Sequence, residues 1–260
     1  MALSPFYSGR TVLVTGASGG IGAEMARQLG AAGARVLLAA RSEAALGQVA
    51  DDVRHRGGTA EVLVADLQPD GAAAALADRL GEDVDVLVNN AGFGLQGPLL
   101  GHDAEAVEGM VGLNVTALTS LTRRLLPGMV DRGHGGILNV ASVAAFVPAP
   151  RFAVYAATKA YVLSFTEAVH AEMRGIGVHV SCLCPGPVET GFADRAGMDA
   201  AFFSGALPVE AVAEAGLRGL AAGERRVVPG WTNKVQAAAS RFVPTGPTLR
   251  VTEAIMKRAG

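Results

Sequence analysis

The chain has 260 residues, half of them hydrophobic and 18% charged, with a formal net charge of −2 at pH 7. That length can bury a sizeable core, and the composition is globular, which excludes an intrinsically disordered chain. The near-neutral balance excludes a general electrostatic pull toward nucleic acid or an anionic membrane.

The opening MALSPFYSGR, in which residues 1–9 form an N-terminal extension, lacks the basic start and apolar core of a signal peptide. No apolar run reaches the ~18 residues of a membrane span, so a soluble, cytoplasmic protein with no integral membrane segment is expected. TVLVTG (11–16) is the first short apolar run, and a helical pattern follows from Ile21 to Ala32. ARVLLAA (34–40) leads into a helix over 42–56, and AEVLVAD (60–66) and VDVLVNN (84–90) flank a helix over 70–80. One long helix is expected over 103–130, then a strand GGILNVAS (135–142), a helix over 151–174 and a strand VHVSCLCP (178–185).

The strands are continuously apolar, which implies burial on both faces, and their alternation with helices implies right-handed crossovers and a parallel sheet. The expected architecture is α/β: a single doubly wound domain over 1–260, with a parallel sheet of six to seven strands and helices on both faces. No linker or repeat divides the chain. Cys182 and Cys184 stand two apart in a strand, where a bridge between them would be strained, so two buried free thiols are expected. The irregular stretch 187–215 follows the sixth strand, where parallel sheets hold ligands, and is the candidate substrate lid. The tail, 231–260, follows a short last strand and holds one or two helices. It either covers the site or touches a neighbouring subunit. Its excess of basic residues reads as a solvated face.

Three features carry chemistry. TVLVTGASGGIG places glycines at 16, 20 and 22 between a strand and a helix, where backbone N–H groups can receive a pyrophosphate. At the end of the second strand an NAD site needs a carboxylate, but Ala40 stands there, followed by Arg41, which can clamp a 2′-phosphate. Lysine occurs only at 159, 234 and 257, yet Lys159 sits in an apolar helix four residues after Tyr155, on the same face. Ser142, at the end of the preceding strand, can meet that phenol. Phenol, ammonium and hydroxyl at the carboxyl edge of the sheet make a carbonyl-polarising site.

In this order the motifs resemble the short-chain dehydrogenase/reductase family from about Arg10 to Thr190: TGASGGIG at 15–22, Asp66 with Leu67, NNAG at 89–92, GLNVTA at 112–117, NVAS at 139–142, YAATK at 155–159 and PGPVET at 185–190. The resemblance implies a Rossmann-like fold and a catalytic set of Asn114, Ser142, Tyr155 and Lys159. In it Tyr155 is the general acid in reduction, Lys159 lowers its pKa and binds the nicotinamide ribose, Ser142 holds the substrate carbonyl, and Asn114 holds a water. The implied cofactor contacts are Gly16, Ser18, Gly20, Ile21 and Gly22 in the turn, Arg41, then Asp66 and Leu67. Asn90, Ala91 and Gly92 follow, then Pro185, Gly186, Val188 and Thr190, with Tyr155 and Lys159 shared. AARSE at 39–43 looks like the NADP-preferring members of the classical group, so NADP(H) is favoured over NAD(H). Two departures stand out: Ala141 replaces a serine often found there, and no basic residue precedes Gly20.

The implied partner is a small carbonyl or alcohol substrate, with no nucleic acid and no metal. A homodimer or homotetramer paired through the helices at 103–130 and 151–174 is expected by the same resemblance. Phe192, Met198, Phe202, Phe203 and Leu207, with Phe93, Leu95, Phe146, Val147 and Phe152, could line an apolar pocket. The other functional class is a non-catalytic NADP(H)-binding regulatory or scaffold protein, which has no use for Tyr155, Lys159 and Ser142 together.

Overall fold

A computed structural model describes residue 3 and residues 5–192, 196–199, 205–240 and 243–258. Seven strands form one sheet in the order β3-β2-β1-β4-β5-β6-β7, with every pairing parallel. They are β1 (Thr11–Thr15), β2 (Arg35–Ala40), β3 (Thr59–Val64), β4 (Val86–Asn89), β5 (Gly135–Val140), β6 (Val178–Leu183) and β7 (Arg226–Val227). Among the described residues the α-helices are α1 (Gly20–Ala31), α2 (Glu43–His55), α3 (Ala72–Leu80), α4 (Ala104–Val111), α5 (Leu118–Arg132), α6 (Ala153–Glu172), α7 (Val209–Ala221), α8 (Trp231–Ala239) and α9 (Thr245–Arg258).

Alternate residues of each strand point to opposite faces, and here both faces are dry. Val12, Val14, Val36 and Leu38 pack with Met25, Leu29 and Leu217 in one buried layer. Leu13, Leu37, Leu87 and Ile137 pack with Leu76, Leu121 and Met129 in the other. The doubly wound α/β reading therefore holds, with seven strands. Among the described residues, no helix is long and apolar enough to cross a membrane. Strand order reverses between β1 and β4, which opens a crevice at their carboxyl ends.

Two expectations need correction. The strands stop at Val64, Asn89, Val140 and Leu183, before the residues expected to end them, so Asp66, Asn90, Ser142 and Pro185 lie on loops at the sheet edge. The long helix expected over 103–130 is interrupted by a π-helical segment, Gly112–Ala117, between α4 and α5. Such segments displace one helical register and turn side chains that a regular helix would aim elsewhere. Asn114 lies in this one.

A buried polar ladder ties the central strands to the helices that carry the site. Asn89 Nδ2 donates to Asn139 Oδ1 (2.9 Å) and Thr122 Oγ1 (3.1 Å), and Asn139 Nδ2 donates to Thr166 Oγ1 (3.0 Å). β4, β5, α5 and α6 are thereby fixed together through side chains that are almost completely out of water. Asn139→Ala removes one partner from each of Asn89 and Thr166, which keep Thr122 and Val162, and it should lower stability by about 2 kcal/mol, read from the urea midpoint.

Candidate active site

The crevice is a cavity of about 810 Å³, within the range of small-molecule sites. One end of it is built by the turn between β1 and α1. Gly16 (φ 64°) and Gly20 (φ 54°) adopt the left-handed backbone that favours glycine. Gly19 caps α1 with no side-chain hydrogen bond, so the helix opens on free N–H groups that can receive an anion.

The turn is held from the neighbouring strand. Thr15 Oγ1 accepts from the N–H groups of Asn90 and Ala91 (3.0 Å each), while Asn90 Nδ2 donates to Thr15 O (2.9 Å) and Gly16 O (3.2 Å). A Cβ at Gly22 would collide with the Asn90 amide and lie 2.5 Å from Gly16 O. Gly22 thus stands behind the turn and does not line the cavity; its smallness serves helix-to-strand packing. Across the cleft, a Cβ at Gly20 would lie 3.2 Å from Thr190 Cγ2. The residues present therefore fit a dinucleotide: an uncapped helix start, a glycine turn that side chains would fill, and a long cleft.

Beyond the turn the cavity runs to the exposed residue Arg41. Arg41 is exposed at the rim and donates weakly to Gln68 Oε1 (3.5 Å). Asp66 Oδ1 accepts from the Gln68 N–H (3.0 Å). Leu67 and Ala91 line the cavity here, with Ser18 and Ile21 at the turn, and Pro185, Gly186 and Val188 line it as well. The Pro185 carbonyl accepts from the Val143 N–H (2.9 Å), which pins the loop after β6 against the loop bearing Ser142.

At the other end Ser142, Tyr155 and Lys159 converge. Lys159 is 5% exposed, and its ammonium donates to Val140 O (2.9 Å) at the end of β5. Its Nζ lies 5.6 Å from the Tyr155 ring centroid. Burial lowers the lysine pKa from its ordinary 10.5 to about 8, opposed by the thiols of Cys182 and Cys184. Both cysteines are free and buried, with Sγ atoms 3.7 Å apart. Burial also pushes the Tyr155 phenol up to about 12, opposed by its hydrogen bond with Ser142. Phe152 stacks on the phenol ring at 4.3 Å and Phe192 lies at 5.5 Å, apolar surroundings that contribute to this burial. Ser142 Oγ accepts from the Ala144 N–H (3.1 Å), which leaves its own proton free to be donated.

Asn114 does not line the cavity. It is buried, its Nδ2 donating to Phe93 O (2.9 Å) and Thr158 Oγ1 (3.1 Å) and its Oδ1 accepting from the Phe93 N–H (3.1 Å). A Cβ at Gly92 would stand 2.8 Å from Asn114 Oδ1 and 3.4 Å from Lys159 Nζ, so amide and ammonium face one shared space.

Of the apolar residues expected around a substrate, Phe93, Leu95, Val147, Phe152, Phe192 and Met198 do line the cavity. Phe146 does not; it lies beneath the Arg226 guanidinium (5.5 Å). Leu207 is bridged to Val188 instead. Phe202 and Phe203 lie outside the described residues. Sequence reasoning missed Gln68, Gln236, Thr252, Ile255 and Met256 as wall residues.

The depressed Lys159 pKa has a consequence for stability. Below about pH 8 both folded and unfolded chains hold the proton, and the burial penalty is full, about 3 kcal/mol. Between about 8 and 10.5 the unfolded chain binds more protons, so this contribution to stability rises with pH. Urea melts should therefore show Lys159→Met more stable than the parent at pH 7, with the gap closing by about pH 10.5.

Known proteins resemble this chain over most of its length. Residues 10–200 match the family model described as short chain dehydrogenase. A ketoacyl reductase, HetN, from a Nostoc species is 36% identical over 184 residues, covering 70% of this chain and 64% of the relative. The chain spans 60–64% of the length of the first curated relatives it matches. A short-chain dehydrogenase from Sphingobium yanoikuyae, solved with NADPH, shares 31% identity at a TM-score of 0.81, covering 90% of this chain and 96% of its own. A short chain dehydrogenase/reductase from Burkholderia phymatum, solved with NAD, shares 28% identity at a TM-score of 0.80, covering 91% and 93%.

Proposed function

The chain belongs to the short chain dehydrogenase family, oxidoreductases acting on a CH–OH or C=O group with a nicotinamide cofactor, and from that premise we propose that it is an NADPH-dependent reductase of apolar ketones or aldehydes. The observation that carries this reading is the meeting of Ser142, Tyr155 and Lys159 at one end of a cavity whose other end is the glycine turn. A bound nicotinamide supplies the hydride to the carbonyl carbon, or accepts it in the reverse direction.

The residues of the chain do the rest. Ser142 donates to the substrate oxygen and aligns it with the phenol. Tyr155 gives its proton to that oxygen as negative charge develops there. A phenol held at about 12 keeps its proton at neutral pH, ready to be given to the substrate oxygen in the reduction direction. Lys159, still cationic below about pH 8, stabilises the phenolate left behind. Asn114 holds the Phe93 loop against α6 and faces the ammonium across Gly92, an arrangement suited to relaying a proton from solvent. Phe93, Phe152, Phe192 and Met198 give the substrate region its apolar character.

NADPH is preferred over NADH in this reading because no carboxylate ends β2, while Arg41 is exposed at the rim with only a long bond to Gln68. A protein that merely bound NADP(H) for regulation or scaffolding would have no need to keep an ammonium buried beside a phenol.

Tyr155→Phe should bind NADPH within about 3-fold of the parent yet lose ketone-dependent NADPH oxidation by about 10³-fold. Loss of binding alongside turnover would point to a structural role for the phenol. Arg41→Ala should weaken NADPH by about 10- to 100-fold and leave NADH nearly unchanged, measured by fluorescence titration of both nucleotides.

A further inference from the structure

Helix α9 contributes Thr252, Ile255 and Met256 to the cavity wall although it lies mostly on the surface. Leu249, Val251 and Ile255 are 37%, 59% and 43% exposed, whereas Met256 is 8% exposed and joins the buried cluster of Phe152, Tyr155 and Met198. A helix with so little buried apolar surface needs other bonds to hold its place. One involves the Thr252 hydroxyl, whose proton is shared between Pro148 O (3.1 Å) and the Thr248 carbonyl of its own helix (2.9 Å).

The other is more telling. Gln96 Nε2 donates to Met256 O (2.9 Å), across 160 residues of chain. Met256 is in the last turn of α9, where carbonyls lack an intrahelical partner, so a distant side chain caps this helix end. Gln96 is itself pinned. Its own N–H donates to Ala196 O (3.0 Å), and the next N–H, of Gly97, donates to Arg151 O (2.8 Å). Arg151 holds a left-handed backbone (φ 65°), unusual for a side-chain-bearing residue, immediately before α6. The loop at 94–97 thus sets α9 relative to the helix that carries Tyr155.

We propose that Gln96 is a positioning residue that latches α9 to the body, and that Met256 is the side chain that limits how long a substrate the cavity accepts. The latch follows from the geometry alone; the word substrate rests on the carbonyl-reductase reading above.

Two measurements test it, and neither needs turnover. In hydrogen–deuterium exchange, Gln96→Ala should raise exchange across 245–258 by about 5-fold, the loss of one hydrogen bond, with α6 unchanged. Gln96→Glu keeps the shape and loses the donor, so it should match Gln96→Ala. If Gln96→Glu instead behaves as the parent, or α9 exchange does not change, the latch is overturned.

For the size limit, methyl ketones from butanone to dodecanone are bound in competition with anilinonaphthalene sulfonate. Affinity should rise with chain length to a plateau, which Met256→Ala extends by about two to three carbons, the length of side chain removed, and Met256→Trp shortens. A plateau unmoved in both variants would overturn Met256 as the limit. A plateau that moves while no ketone consumes NADPH would sustain this proposal and sink the reductase reading.

Discussion

A lysine ammonium held out of water constrains everything around it. Among the described residues Lys159 donates to the Val140 carbonyl at the end of β5, with the Tyr155 ring and the shared space at Gly92 beside it. Keeping a charge there costs stability, as its depressed pKa records. A chain under no functional demand would gain by replacing it with an apolar residue of similar volume. The buried ladder through Asn89, Asn139 and Thr166 holds strand and helix in the register that places this ammonium beside the phenol.

The cleft itself follows from topology. Reversal of strand order between β1 and β4 leaves two strand ends that must diverge, and the Thr15–Asn90 hydrogen bonds keep them joined at their base. Glycines then let the backbone turn outward without filling the gap. The same edge receives Ser142 from β5 and the Pro185 loop from β6. One sheet edge therefore brings an uncapped helix start, apolar side chains and the Ser142 hydroxyl to a single cavity.

Much of this was legible in the sequence, and the reasons are local. Gly16 and Gly20 answer to backbone conformation, Ser142 to a strand end, and Tyr155 and Lys159 to helical spacing; each is fixed within a few residues. What stayed hidden depends on distant parts. The π-helical segment at Gly112–Ala117 carries an Asn114 amide that bonds to the loop after β4 and to α6, neither of which is near in sequence. Phe146 looks the same in sequence whether it faces a ligand or packs under Arg226. Gln68 reaches the rim through its pairing with Arg41, and Met256 through the long-range cap from Gln96, and no periodicity marks either.

In the proposed reaction a hydride reaches the carbonyl carbon in this cavity while Tyr155 supplies the proton. The most direct measurement supplies NADPH deuterated at the transferable position of the nicotinamide with a panel of apolar ketones, and then examines the alcohol by mass spectrometry and NMR. The account predicts one deuteron in each alcohol molecule, on the carbinol carbon. An alcohol formed without label, or no alcohol from any ketone while NADPH remains bound, would contradict it.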